Sequence, residues 1–214
     1  MSLAMLRTLE EKVDPAHTAL IVVDVQNDFC APGGAFGRLG RDLHRVHEMV
    51  PRLKRVLVAA RTAGVTVIFA RYTQTPATES DVHLEQRQRG RANIEYCREG
   101  TPGADFYEVT PQSGEPIVTK HRYSAFINTD LDVILRSWGI RTLIMTGVAT
   151  NGCVEATARD GFMYDYYIVF VDDCAATYSV DQHQATLNNI RDAYGIVVGS
   201  EELCAAWTSE NRLG

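Results

Sequence analysis

No run of about 18 apolar residues occurs in the 214-residue chain, so no membrane-spanning helix is expected. No C-x-x-C spacing occurs either. The five cysteines stand singly at positions 30, 97, 153, 174 and 204, an odd number that argues against a disulfide framework or a structural zinc site and for reduced thiols. Positive charge is not in excess: 27 acidic residues face 21 basic ones, a net charge of −6, so a nucleic-acid partner is not expected. No glycine-rich phosphate loop follows the first apolar run, where Asp24 stands instead, which argues against a nucleotide-binding domain. Residues 1–15 are mixed and charged and lack the apolar core of a signal peptide, so the expected location is the cytoplasm. Repeats, linkers and low-complexity segments are absent. What is present is 45% hydrophobic residues, enough for one domain over residues 1–214 with a sizeable core.

Short Val- and Ile-rich runs alternate with segments of helical period. Strands are expected at residues 18–24, 65–70, 115–119, 141–146, 168–171 and 196–198. Between the first two, Leu43, Val46, Val50, Leu53, Leu57 and Ala60 recur at helical spacing, and Gly64 is placed to end that helix. A second helix is expected from Thr129, with Asp132 as a capping-box partner, to about Gly139. Residues 180–194 read as helical, and Ser200 as the cap of a terminal helix. Strands without polar alternation, separated by helices, imply a mainly parallel sheet covered on both faces. The expected fold is therefore a three-layer α/β/α sandwich with about six strands. Residues 72–112 stand apart as polar, charged and aperiodic, a long connection expected to form a lid or an interface.

Ligands of open parallel sheets bind at the carboxyl ends of the strands. Those ends carry Asp24, Arg71 and Tyr72, Lys120, a turn leading to Cys153, and Asp172, Asp173 and Cys174. Cys153 follows a strand and a short turn of small residues and opens a helix-like stretch, where the positive end of the helix dipole favours a thiolate. If strands one, three and four are neighbours, Asp24 can take the thiol proton and the Lys120 cation can stabilise the resulting charge. The turn itself can aim backbone N–H groups at a carbonyl oxygen. The other four cysteines lack this context: Cys30 reads as a small loop residue, Cys97 lies in the long connection, Cys174 is expected under the site and Cys204 on the inner face of the last helix. Phe29 and Tyr123 follow the Asp and Lys motifs closely and are candidate pocket walls that contact substrate. Asn27 and Asp28 are expected to shape the turn after the first strand.

Three segments carry a family resemblance: Ala19-Leu-Ile-Val-Val-Asp24-Val-Gln-Asn-Asp-Phe29, Lys120-His-Arg-Tyr-Ser-Ala-Phe126 with Thr129 and Leu131, and Thr146-Gly-Val-Ala-Thr-Asn-Gly-Cys153-Val-Glu-Ala-Thr-Ala-Arg-Asp160. Together they resemble the isochorismatase-like cysteine hydrolases, over residues 15–203, with residues 120–161 nearest to the ureidoacrylate amidohydrolases and related ureido amidases. The resemblance implies a catalytic triad of Asp24, Lys120 and Cys153, a cis peptide between Val148 and Ala149, and an oxyanion hole made by the N–H groups of Ala149 and Cys153. It also implies a homo-oligomer, dimer or tetramer, acting on a small-molecule substrate.

The nicotinamidase branch of that family carries a metal site with an Asp-x-His motif after the second strand. Here the place reads Arg71-Tyr72-Thr73-Gln74-Thr75-Pro76 and the nearest histidine is His83, so no metal and no cofactor are expected. His121 and Gly152 replace the Pro and Val common in the ureidoacrylate branch. The function expected is a metal-independent, cysteine-dependent amidohydrolase that cleaves a small amide or ureido (N-carbamoyl) compound through a thioester, releasing ammonia or amine. The alternatives are vinyl ether hydrolysis of the isochorismatase type, with Asp24 as general acid and no thioester, and a non-catalytic binding protein on the same scaffold.

Overall fold

A computed structural model describes residues 4–89 and 94–208. Strands β1 (Thr18–Val23), β2 (Thr66–Tyr72), β3 (Ile117–Lys120), β4 (Thr142–Val148), β5 (Tyr167–Ala176) and β6 (Ile196–Val198) form one sheet. Their order is β3-β2-β1-β4-β5-β6, and every neighbouring pair is parallel. The α-helices among the described residues are α1 (Leu9–Lys12), α2 (Asn27–Cys30), α3 (Ala35–Arg38), α4 (His44–Ala63), α5 (Asp81–Arg89), α6 (Leu131–Ser137), α7 (Glu155–Met163), α8 (Val180–Asn189) and α9 (Ser200–Ala206).

All six residues of β1 are buried, as the unbroken apolar run requires for a strand covered on both sides. Leu20 and Val22 face a core shared with Val46, Leu53 and Leu57 of α4 and Leu203 of α9. Ala19, Ile21 and Val23 face the opposite core, shared with Leu131 and Leu135 of α6, Ala158 of α7 and Leu187 of α8. Burying each large aliphatic side chain contributes about 1.5–3 kcal/mol, which sets the two faces firmly against their helices. The three layers thus match the architecture expected. Gly64 ends α4 at φ 80°, its N–H donating to the carbonyls of Ala60 and Arg61.

The differences from expectation are local. Thr129 precedes α6 rather than opening it: its hydroxyl accepts from Leu131 N at 3.2 Å. Asp132 makes no reciprocal cap because its carboxylate is taken by Tyr166 Oη and Arg136 Nε, at 2.8 and 2.9 Å. Strand β5 runs to Ala176, five residues past its expected end. From Met145 to Gly147, β4 advances two residues while β5 advances five, and this irregularity lets β5 rejoin the sheet through Gly147–Ala175 and Val148–Ala176 pairing. Asp172, Asp173 and Cys174 therefore lie inside a strand, not at its end. Asp173 reaches the last helix and accepts from Ser200 N at 2.8 Å and Ser200 Oγ at 2.6 Å, so it caps α9 where Ser200 was expected to. Cys174 is buried in the core on the α4 side.

The connection between β2 and β3 contains a helix, α5, that sequence periodicity misses because its only large apolar residues are Val82 and Leu84. Residues 90–93 of this connection lie outside the described residues. Two isolated bridges fasten its remainder, one from Gln74 to Arg98 within the connection and one from Phe106 to Gln26, just past β1.

Candidate active site

The strand order reverses direction between β1 and β4, and ligand sites of open α/β sheets lie at such a switch point. Asp24 leaves β1 with a left-handed backbone, φ 51°, while its N–H still donates to Ala70 O at 2.9 Å. Gly147 lets β4 approach at the same level: its φ is 110°, and a Cβ there would lie 2.0 Å from Val23 O. β4 then ends in a cis Val148–Ala149 peptide and a tight turn, Thr150–Val154, that carries Cys153.

Strands one, three and four are not all adjacent. β2 stands between β1 and β3, so Lys120 must reach across one strand, two inter-strand spacings or roughly 9.6 Å of sheet. Its four-carbon stem does this, with Nζ passing 5.1 Å from the Tyr72 ring centre. Nζ donates to Asp24 Oδ2 at 2.7 Å and to Arg122 O at 3.1 Å. Asp24 and Lys120 are both fully buried. The second oxygen of Asp24, Oδ1, is buried and has no hydrogen-bond partner among the described residues. Asp24 and Lys120 both act on the Cys153 thiol. The structure thus brings Asp24, Lys120 and Cys153 to one place.

Burial opposes the helix terminus at the thiol. Burial, then the Asp24 charge, push the Cys153 thiol up, against the pull of Lys120. A helix dipole offers about 0.3–1 kcal/mol at its first turn, against a desolvation shift of up to several pKa units, each worth about 1.4 kcal/mol. Moreover, α7 begins at Glu155, two residues beyond the cysteine. Burial and the Asp24 charge thus favour the neutral thiol over the thiolate. Burial raises the Asp24 carboxyl as well, opposed by Lys120, which makes it a stronger base than an exposed aspartate. Burial works against the Lys120 charge, but Asp24 and Cys153 hold its ammonium above the ordinary lysine value.

Beside the thiol lies a cavity of about 500 Å³ lined by Ala149, Asn151, Gly152 and Cys153 from the turn, and by Tyr96, Tyr123 and Tyr178. No hydrogen bond occupies the Ala149 N–H among the described residues. Tyr123 is on the cavity wall, half exposed and stacked on His83 at 6.4 Å between ring centres. Phe29 is not on that wall. It sits one layer behind, packed on Phe36 and Tyr96, with ring centres 5.2 and 5.6 Å away, and those two rings line the cavity in its place. Gly152 lines the cavity, whereas His121 is held away by Thr73 O at 2.9 Å. Among the described residues no group of three or more His, Cys, Asp or Glu side chains is placed to hold a metal ion.

Several lining residues escaped the sequence reading. Tyr96 and Arg87 come from the long connection, and Tyr178 from the loop after β5; no local motif marks them. Gln26 escaped too, although it lies inside the first motif. Its amide accepts from Tyr72 N at 2.8 Å and donates to Tyr72 O and Ala104 O at 2.9 and 2.7 Å, fastening the exits of β1 and β2 to the connection. Asp28 does the same from α2, accepting from Ala35 N and Cys97 N at 2.9 and 2.7 Å.

Residues 18–202 match the family model described as the isochorismatase domain. A ureidoacrylate amidohydrolase RutB of Methylobacterium radiotolerans is 37% identical over 199 residues, 86% of this chain and 77% of that protein. Among solved structures, a cysteine hydrolase from Pseudomonas syringae pv. phaseolicola superposes with a TM-score of 0.81 at 29% identity, covering 97% of this chain and 98% of the other. An N-carbamoylsarcosine amidase from Thermoplasma acidophilum superposes with a TM-score of 0.70 at 26% identity, covering 86% and 97%.

Proposed function

The chain belongs to the isochorismatase family, and from that premise we propose that it is a cysteine-dependent amidohydrolase. It cleaves the C–N bond of a small amide or ureido compound through a thioester on Cys153 and releases ammonia or an amine. Two of the similar proteins support the substrate class, since their names specify ureidoacrylate and N-carbamoylsarcosine.

The observation that carries the mechanism is the fully buried Asp24 carboxylate, tied to Lys120 through Oδ2, acting on a thiol whose neutral form burial favours. Oδ1 accepts the thiol proton as Sγ attacks the carbonyl carbon, and the carbonyl electron pair moves onto oxygen. The N–H groups of Ala149 and Cys153 hold this oxyanion. The Lys120 ammonium keeps Asp24 oriented through Oδ2 and offsets the negative charge on sulfur. Collapse of the tetrahedral species breaks the C–N bond, and the Asp24 proton leaves with the nitrogen. Water then gives a proton to Asp24 and attacks the thioester carbonyl; the proton returns to sulfur as the acid departs.

Ammonia release from a panel of small amides and ureido acids tests the reading. Cys153→Ala is expected to abolish release while leaving the far-UV circular dichroism unchanged. Activity that survives either this substitution or complete alkylation of the thiol overturns the thioester mechanism.

A further inference from the structure

A second polar chain lies next to the site, and the mechanism above does not use it. His183, on α8, is buried with both ring nitrogens engaged: Nε2 lies 2.8 Å from Asp172 Oδ1 and Nδ1 lies 2.9 Å from Thr150 Oγ1. Thr150 is fully buried. It immediately follows Ala149 and stands three residues before Cys153. An aspartate carboxylate only accepts, so Nε2 carries a proton towards Asp172, and Nδ1 shares the second hydrogen bond with the Thr150 hydroxyl, which can donate or accept. Consistent with that direction, the hydrogen bond from His183 holds the Asp172 carboxyl below the usual range. The next residue is pinned as well: Thr177 Oγ1 donates to Asn151 Oδ1 at 2.6 Å.

We propose that His183, oriented by Asp172, is a positioning residue that fixes Thr150 and thereby the aim of the Ala149 and Cys153 N–H groups at the substrate oxygen. This rests on the amidohydrolase reading above. The turn Thr150–Val154 contains a residue with non-helical backbone, Gly152, at φ −124° and ψ −105°. A glycine there gives the turn conformational freedom, so side chains must supply its rigidity. Thr150 and Asn151 are the two residues on the near side of that glycine, and each is tied to β5 or to the segment after it, through His183–Asp172 and through Thr177. Oxyanion stabilisation depends on donors held in place before the reaction, so a slack turn weakens catalysis without touching the acid–base pair.

The distinction from a plain core histidine is experimental. Iodoacetamide alkylates Cys153 by displacement at a saturated carbon, with iodide leaving, and needs no oxyanion hole. A small aldehyde such as propionaldehyde adds the sulfur to its carbonyl carbon, and the electron pair moving to oxygen falls where the N–H donors point. Protection of Cys153 by propionaldehyde against iodoacetamide therefore reads the donors, and the unprotected rate reads the thiol. Thr150→Val, which removes the hydroxyl at nearly constant volume, is expected to weaken aldehyde protection 10- to 100-fold while the unprotected alkylation rate stays within threefold. Thr150→Ser is expected to restore protection. Equal losses in both readouts, unchanged protection in Thr150→Val, or no protection in the wild type overturns the proposal. If Thr150→Val does not fold, Asp172→Ala at the half-exposed outer end of the chain carries the same comparison, with a three- to tenfold loss of protection expected and no change overturning it. None of these readouts needs the natural substrate. Failure of the amidohydrolase reading shows separately, as ammonia release that survives Cys153→Ala.

Discussion

Asp24 and Lys120 carry opposite charges where neither has water, so each makes the other's burial tolerable. Two substitutions separate what their charges do to the thiol. Asp24 raises the Cys153 pKa and, in the proposed mechanism, is also its proton acceptor. Asp24→Asn is therefore expected to shift the pH midpoint of iodoacetamide labelling downward while amide turnover falls by about 10²- to 10⁴-fold, the usual worth of a general base. A labelling midpoint that stays put or rises contradicts the charge assignment. Lys120→Met works the opposite way: the cation that lowers the thiol is gone, so the labelling midpoint moves up. It also leaves Asp24 buried alone, at a cost of about 3–5 kcal/mol if the carboxylate stays ionised. Without Lys120 the folded-state pKa of Asp24 rises further above its unfolded value. The proton so gained stabilises the fold at low pH, and that contribution is lost as pH rises through the folded pKa. Urea unfolding of Lys120→Met is thus expected to show a large stability deficit at pH 8 and a smaller one at pH 5; the reverse order would contradict the linkage.

At the scale of the element, the site depends on how closely β1 and β4 run at their ends. Gly147 occupies a backbone conformation that side chains rarely adopt, and it faces Val23 carbonyl at a distance no Cβ tolerates. Gly147→Ala is expected to destabilise by about 2–4 kcal/mol, from backbone strain together with overpacking. It should also slow alkylation of Cys153, because the displaced strand end carries the turn. Urea midpoints and labelling rates check both. The helix after the turn has a smaller part than the sequence suggests. α7 holds Cys153 mainly through Thr157, whose hydroxyl donates to Cys153 O at 2.7 Å and accepts from Ala125 N at 3.0 Å. One threonine thereby couples the turn of Cys153 to the loop that follows Lys120.

For the molecule as a whole, the sheet supplies the chemistry and the long connection supplies part of the enclosure. Arg87 fastens that connection, donating to Gln74 Oε1 at 2.8 Å and Glu79 Oε1 at 2.6 Å, and it reaches the cavity together with Tyr96. Gln74 in turn donates to Tyr72 Oη at 2.8 Å, so the enclosure is linked to the ring that Lys120 passes. Arg87→Ala is expected to raise KM about tenfold, some 1.4 kcal/mol of binding, with a smaller change in kcat. A selective loss of kcat would place Arg87 in the chemistry instead of the wall. No helix among the described residues is long and apolar enough to cross a membrane.

The sequence by itself determined the layers, because an apolar run such as residues 19–23 can be buried on both faces only inside a covered parallel sheet. It also singled out Asp24, Lys120 and Cys153, since each ends a strand or the turn after one, and strand ends share one rim. Other features depended on distance between segments remote in sequence. Placing β2 between β1 and β3 makes the length of the lysine stem necessary. Burial, which sequence does not display, opposes the expected effect of the helix terminus on the thiol and pushes its pKa up. The inward shift of Phe29 behind Phe36 and Tyr96 and the contact of His183 with Thr150, 33 residues apart, arise from packing between elements, and the extension of β5 past Asp172 from the register irregularity of β4 against β5. Local pattern decides which face of an element is apolar; only the folded chain decides which side chains that face brings within reach of one another.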